Sequence, residues 1–333
     1  MICQPSLKQR SLLTLNDLTN AEMLGIIDFA IALKARRDSG TRGDLLLRKN
    51  IALVFEKGST RTRCAAAIAT REEGGNVEYL TRADTHFGVK ESVKDTARVL
   101  GRMFDGILFR GYAQKTVEDL ARHSGVPVWN GLTDDFHPTQ VLADLMTMRE
   151  HFGRLKGLRL AYVGDGRNNM ANSLMIGCAK AGVDFVNCTP RALSPDAGLL
   201  AKARAMAAAN GSVVEVFENP ATGVRGANVV YTDVWISMGE EAQKEERMKL
   251  LAPYQVNEAL VAATGTREED FIFLHCLPAF HDCETALTRD SGAFEVSDAV
   301  FRAPYSRVFD EAENRMHTIK ALYVSALCDG ACF

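Results

Sequence analysis

Short apolar runs alternate with helical stretches through most of this chain, and that alternation restricts it to one class of fold. Ile51–Phe55, Val77–Leu80, Gly106–Phe109 and Val126–Trp129 read as buried strands, and the stretches near 62–73, 92–103 and 115–123 between them read as helices. A second cycle follows, with strands at Leu160–Val163, Phe185–Cys188, Val213–Phe217, Val229–Tyr231 and Phe271–Leu274. Helices near 169–180 and 195–209 separate the first three of these. Strands that are apolar on both faces and joined by helices assemble into parallel sheets. The fold class expected is therefore α/β, with two doubly wound domains. Each has a central, mostly parallel sheet flanked by helices, and interdomain helices join them.

Length agrees, since 333 residues suggest two domains at roughly 150 residues each. The first is expected over 1–150 and the second over 151–310. Thr139–Phe152 links them as a helix. A last helix, Glu311–Leu327, lies outside both cycles, and 311–333 is expected to pack back on the first domain. Before the first strand, 12–36 reads as one amphipathic helix with Asn16 as its N-cap and Leu24, Ile27, Ala30 and Leu33 on one face.

The net charge of -3 gives no basic surplus of the kind a nucleic-acid binder shows, so any anion site must be a local cluster. The eight cysteines include no Cys-x-x-Cys pair, which favours reduced thiols over a disulfide framework and places the protein in the cytoplasm. No apolar run approaches signal-peptide or membrane-span length, so no membrane association is expected.

The densest local cluster is Ser59-Thr60-Arg61-Thr62-Arg63, which follows a strand and a turn at Gly58 and opens an Ala-rich helix. A helix start offers unpaired N–H groups and partial positive charge, the hydroxyls add donors, and arginine adds a two-pronged charged contact. The combination predicts a phosphate site. Arg110 ends another strand, where α/β folds place ligands. His137 and Gln140 flank the first turn of a helix that Pro138 opens, and each can hydrogen-bond a carbonyl or amide.

A second group lies at later strand ends. Asp233 follows Val229–Tyr231, and Cys276 follows Phe271–Leu274. A thiol beside a carboxylate can manage protons at an amine. Cys276 also reads as a small core hydrophobe, or as a zinc ligand with His281 and Cys283, though no fourth ligand follows at a familiar spacing. Gly164-Asp165-Gly166-Arg167-Asn168-Asn169 lacks the third glycine of a dinucleotide turn, so Asn169 offers an amide to a polar substrate instead.

Taken in order, these motifs resemble the ornithine carbamoyltransferases of the aspartate/ornithine transcarbamylase family. The resemblance rests on Ser-Thr-Arg-Thr-Arg, Lys-Glu-Ser-x-Lys-Asp-Thr-Ala-Arg-Val-Leu, Phe-Arg-Gly, His-Pro-Thr-Gln, Asp-Val-Trp-x-Ser-Met-Gly, His-Cys-Leu-Pro and Glu-Asn-Arg-Met-His-Thr-Ile-Lys, and covers nearly the whole chain. It implies transfer of a carbamoyl group from carbamoyl phosphate to the δ-amine of L-ornithine, giving L-citrulline and phosphate without metal or organic cofactor. It assigns phosphate to Ser59, Thr60, Arg61, Thr62 and Arg110. It assigns the carbamoyl group to His137, Gln140 and Arg315, and ornithine to Asn169, Asp233, Ser237 and Met238. Cys276 and Leu277 then contact the reacting groups. Arg61, Arg110, His137, Asp233 and Cys276 would carry the catalysis. The resemblance also implies a homotrimer, or an assembly of trimers, in which a neighbour supplies the loop around Lys90.

That loop reads Thr85-His86-Phe87-Gly88-Val89-Lys90, where the family has a glutamine in place of His86 and a histidine in place of Val89. An aromatic expected after Cys64 is replaced by Ala65, Ala66 and Ala67. These departures suggest a reshaped carbamoyl phosphate pocket, tolerant of toxins that mimic the transition state, as in phaseolotoxin-insensitive members. A transcarbamylase for another amine, such as putrescine, and a non-catalytic regulatory homologue are the alternatives. A place in arginine metabolism is expected, with arginine biosynthesis named first and arginine breakdown not distinguished from it by the sequence.

Overall fold

Every apolar run of the first cycle forms a strand in the computed structural model, which describes residues 2–41, 43–85, 90–236, 244–289 and 292–332. The strands are β1 (Asn50–Phe55), β2 (Asn76–Thr81), β3 (Gly106–Arg110) and β4 (Val128–Leu132). Helices α1 (Asn20–Asp38), α2 (Thr60–Glu72), α3 (Val93–Met103), α4 (Gln114–Ser124) and α5 (Pro138–Phe152) accompany them. The second cycle gives β5 (Arg159–Val163), β6 (Asp184–Cys188), β7 (Val214–Phe217), β8 (Val229–Thr232) and β9 (Ile272–His275). With it come α6 (Asn169–Ala181), α7 (Ala197–Asn210) and the shorter α8 (Pro220–Gly223), α9 (Lys244–Leu251), α10 (Glu258–Ala262) and α11 (Asp298–Phe301). Helix α12 (Val308–Leu327) is the last.

The chain divides into two units. One comprises Met1–Met146 with Glu313–Phe333, and the other Thr147–Ala312. The first contains a sheet in the order β2-β1-β3-β4, and the second a sheet in the order β7-β6-β5-β8-β9, with parallel pairing throughout. In the first unit Ala52, Val54, Ile107, Phe109 and Val128 pack with Ala97 and Leu100 of α3 and Val117 and Leu120 of α4. Each of the valine, leucine, isoleucine and phenylalanine side chains contributes about 1.5–3 kcal/mol on burial. The C-terminal part of α12 belongs to this unit: Tyr323 lies 4.3 Å from Trp129, and Lys320 pairs with Glu72 at 2.7 Å.

Both sheets reverse strand order once, β1 against β3 in the first and β5 against β8 in the second. Crossovers leave opposite faces there, so the carboxyl ends of those strands open a crevice where α/β proteins bind ligands. Ser59 follows β1 and Arg110 ends β3. Asp165 follows β5 and Asp233 follows β8.

Several expectations change. The helix expected over 12–36 is two elements. Asn16 is not its N-cap, because Thr14 and Asp17 close a capping box around a short 3-10 turn at Leu15–Asp17. Thr19 and Glu22 close a second box that starts α1. The fourth strand begins at Val128 rather than Val126, since Pro127 has no N–H to give the ladder. The thiols are not all reduced: Cys3 and Cys332 form a disulfide. An antiparallel bridge at these two residues, with Gln4 N donating to Ala331 O at 2.9 Å, draws the chain ends together. No helix among the described residues is long and apolar enough to cross a membrane.

Candidate active site

In the first unit, Ser59 is the N-cap of α2, and its hydroxyl accepts from Thr62 N at 3.2 Å. Its extended backbone turns the chain out of β1 and points the first turn of α2 toward the crevice. Thr60 is exposed, Ser59 and Arg61 are half-buried, and Thr62 is buried. Arg110 pairs in register with Phe55 and is 8% exposed. Its Nη1 donates to Thr62 Oγ1 at 3.4 Å. Arg315 of α12 is 2% exposed, and its Nη2 donates to the same hydroxyl at 3.1 Å. Its Nη1 donates to Gln140 Oε1 and lies 3.5 Å from His137 Nε2. Gln140 Nε2 donates in turn to Asp144 Oδ1 at 2.8 Å. Thus Thr62, Arg110, His137, Gln140 and Arg315, far apart in sequence, form one buried group.

Burial holds the His137 imidazole well below its usual pKa, and the nearby Arg315, Arg110 and Arg61 push it the same way. It is therefore neutral at physiological pH and serves as a hydrogen-bonding group. Positive charge in this group comes from the arginines, which suits a phosphate monoester and an oxygen that gains negative charge.

In the second unit, Cys276 Sγ lies 3.1 Å from Asp233 Oδ1 as donor. The backbone N–H of Val234 also donates to Oδ1, at 2.8 Å, and Asn168 Nδ2 donates to Oδ2 at 3.2 Å. Burial pushes the Asp233 carboxyl up, partly offset by His275, by the Cys276 thiol and by the Val234 N–H. A buried carboxylate with raised proton affinity is suited to taking a proton from an amine. His275 is fully buried. Its Nδ1 accepts from Leu277 N at 2.9 Å, which leaves Nε2 to donate to Glu295 Oε1 at 3.2 Å. Its own N–H donates to Glu311 Oε2 at 2.9 Å. These contacts hold the strand end from which Cys276 and Leu277 project. Leu277 has φ 59°, and the peptide to Pro278 is cis.

The zinc set of Cys276, His281 and Cys283 is not assembled. Cys276 groups with Asp233 and His275, whereas His281 groups with Asp282 and Asp298, and Cys283 is exposed. Asn169 opens α6, but its neighbour Asn168 is the N-cap and the residue that reaches Asp233. Sequence reading missed Asn168, Glu295 and Glu311. Only Asn168 carried a signal, as an Asn at a helix start. Lys90 is exposed. His86, Val89, Ser237 and Met238 lie outside the described residues.

Comparison with known proteins agrees with this two-part arrangement. The family model described as "Aspartate/ornithine carbamoyltransferase, carbamoyl-P binding domain" matches residues 10–150, and its companion "Asp/Orn binding domain" matches 156–326. The catabolic ornithine carbamoyltransferase of Staphylococcus aureus (strain MRSA252) is 53% identical over 327 residues, covering 96% of this chain and 97% of that protein. That of Bacillus licheniformis is also 53% identical, covering 97% and 98%. The solved ornithine carbamoyltransferase of Pyrococcus furiosus superposes with a TM-score of 0.90 at 42% identity, covering 97% of this chain and 98% of that one.

Proposed function

The chain belongs to the aspartate/ornithine carbamoyltransferase family, and from that premise we propose how its residues divide the work and in which direction it serves the cell. It is a carbamoyltransferase of the ornithine type. The observation that carries the assignment of roles is the convergence of Arg110, Arg315, His137 and Gln140 around Thr62, beside the capped start of α2.

In this reading Ser59, Thr60, Arg61, Thr62 and Arg110 hold the phosphate. Arg315, His137 and Gln140 hold the carbamoyl carbonyl and amide. The δ-amine of ornithine gives up a proton toward Asp233, with Cys276 orienting it, and its nitrogen attacks the carbamoyl carbon. Charge that grows on the carbonyl oxygen meets the arginines and the neutral His137 donor. The C–O bond to phosphate breaks, and phosphate leaves with its charge already matched. Asn169, Ser237 and Met238 complete the assignment on the amino-acid side. The reading requires no metal or organic cofactor.

The Staphylococcus aureus and Bacillus licheniformis relatives are catabolic ornithine carbamoyltransferases, which supports breakdown rather than synthesis as the role here. In that direction phosphate attacks the ureido carbon of citrulline and releases ornithine. We also propose a homotrimer, alone or as the unit of an assembly of trimers, in the cytoplasm. His86 and Val89 carry the finer proposal that transition-state-mimicking phosphonates bind more weakly than to other members. Equal affinity for a bisubstrate phosphonate would refute that point alone.

The deciding experiment is a citrulline assay with ornithine and carbamoyl phosphate, run beside putrescine. Citrulline from ornithine alone is expected; none at all would reject the reading. Deletion of the gene separates the two directions, since loss of growth on arginine supports breakdown and arginine auxotrophy overturns it. Light scattering should give a particle of about three times, or a multiple of three times, the 36.5 kDa chain.

A further inference from the structure

Two strand ends in the second unit are tied together by a side chain that no role above uses. Arg247 of α9 and Asp165, in the turn after β5, are 3% and 4% exposed. Arg247 Nη2 lies 2.5 Å from Asp165 Oδ2, and its Nε donates to the Trp235 carbonyl at 2.6 Å. Trp235 is two residues beyond Asp233, and Asp165 is three residues before Asn168. The same turn is fixed from its other side, where Gly166 N donates to Thr189 Oγ1 at 3.0 Å and Asn187 Nδ2 donates to Gly166 O at 3.0 Å.

The contacts close a ring. From Asp165 the chain runs to Asn168, whose amide reaches Asp233. From Asp233 it runs to Trp235, whose carbonyl reaches Arg247, and Arg247 returns to Asp165. A buried ion pair is retained at a desolvation cost, so its use is sought in the geometry it enforces. A planar guanidinium with donors on separate nitrogens can fix two acceptors at once, which an ammonium does poorly.

We propose that Arg247 is a positioning residue for the amine subsite: by bracing the turn after β5 against the end of β8, it keeps Asn168 on Asp233. It acts through Asn168 and Asp233. The inference rests on the assignment of Asp233 to the amine.

Removing the brace should release the Asn168 amide, a donor that favours the charged carboxylate. Facing Asp233 are also His275, Cys276, Glu295 and the Tyr162 ring. His275 Nε2 is held by Glu295 and the Cys276 thiol already donates to Asp233, so loss of the Asn168 donor favours the protonated form and the acid limb of the ornithine kcat/KM profile moves to higher pH.

The test compares wild type, Arg247→Met, Arg247→Lys, Asp165→Asn and the Arg247→Met/Asp165→Asn double variant. The expected result for Arg247→Met is an ornithine KM raised about tenfold, with the carbamoyl phosphate KM within about twofold of wild type. Arg247→Lys should fall between the two and serves if the Met variant does not fold. The double variant should be far less impaired than the product of the single effects, because both remove one contact. Unchanged ornithine KM and pH profile in Arg247→Lys and Arg247→Met overturns the inference. Parallel losses in both KM values and in melting temperature also overturn it, since they mark a merely structural role. An inactive wild type would instead sink the parent reading, and this one with it.

Discussion

His137 sits among three arginines yet stays neutral, and that combination decides its use. An imidazolium there would be repelled by Arg315, Arg110 and Arg61 and would lose its hydration on burial. The neutral ring can still donate to an oxygen that becomes negative. Replacing it with leucine, similar in bulk but without a donor, should lower kcat about 10²- to 10³-fold, the usual effect of losing one such group. Steady-state kinetics with carbamoyl phosphate and ornithine would check this, and a loss confined to KM would contradict it. The same residue predicts a stability effect with a definite sign. Its folded pKa is depressed, so below about pH 6.5 the unfolded chain binds a proton that the folded chain refuses. Its contribution is present above that pH and is lost as pH falls toward the folded value. His317 and His151 are lowered as well, so the wild type should lose stability on acidification. In His137→Leu the loss should be shallower by as much as about 1.4 kcal/mol per pH unit, the slope for one proton. Urea titrations from pH 7 to 5 would show it, and identical slopes would refute it.

At the scale of elements, the strands and their parallel arrangement were legible because buried strands announce themselves as continuous apolar runs. Ile51–Phe55 is the clearest case, buried along its whole length. Boundaries set by hydrogen bonding were less legible. The start of α1 depended on which of two successive boxes, Thr14 to Asp17 or Thr19 to Glu22, opens the long helix, and the apolar spacing spans both. The phosphate-type helix start was legible because all its parts are adjacent in sequence. The acid clamp on His275 was not, because Glu295 and Glu311 lie 20 and 36 residues away and meet it only through the packing of the second unit. Close helix approach is likewise invisible in one dimension. A Cβ at Gly101 of α3 would stand 1.7 Å from the Ser124 carbonyl oxygen at the end of α4. That neighbour is backbone and cannot rotate aside, so the helices must separate. Gly101→Ala should destabilise the first unit by about 1–3 kcal/mol, as overpacking does, despite alanine's better helix propensity. A denaturant midpoint equal to or above wild type would show that the helices can part without cost.

At the scale of the molecule, the first unit is assembled from two distant parts of the chain, Met1–Met146 and Glu313–Phe333, with the whole second unit inserted between them. Its two parts must find each other before Arg315 can reach Thr62 and Gln140, all of which lie in this unit. The Cys3–Cys332 disulfide joins the beginning of one part to the end of the other, across 329 positions. A link over so long a span restricts the unfolded chain more than it alters the folded one, so it should stabilise the first unit and not the second. The backbone contacts between Gln4 and Ala331, and the bond from Gln4 Nε2 to Cys328 O at 2.7 Å, hold the ends together without it. Reduction is therefore expected to leave the folded arrangement and activity in place while lowering stability by about 2–4 kcal/mol, the usual range for such links. Two units need not unfold together, so the measurement must resolve them. Hydrogen exchange in α2 and β1 reports on the first unit and exchange in α6 and β5 on the second. With reductant, protection should fall in the first pair and hold in the second. Cys3→Ser should match the reduced wild type and be indifferent to reductant. Equal protection in oxidised and reduced wild type would mean that the terminal contacts alone close the unit.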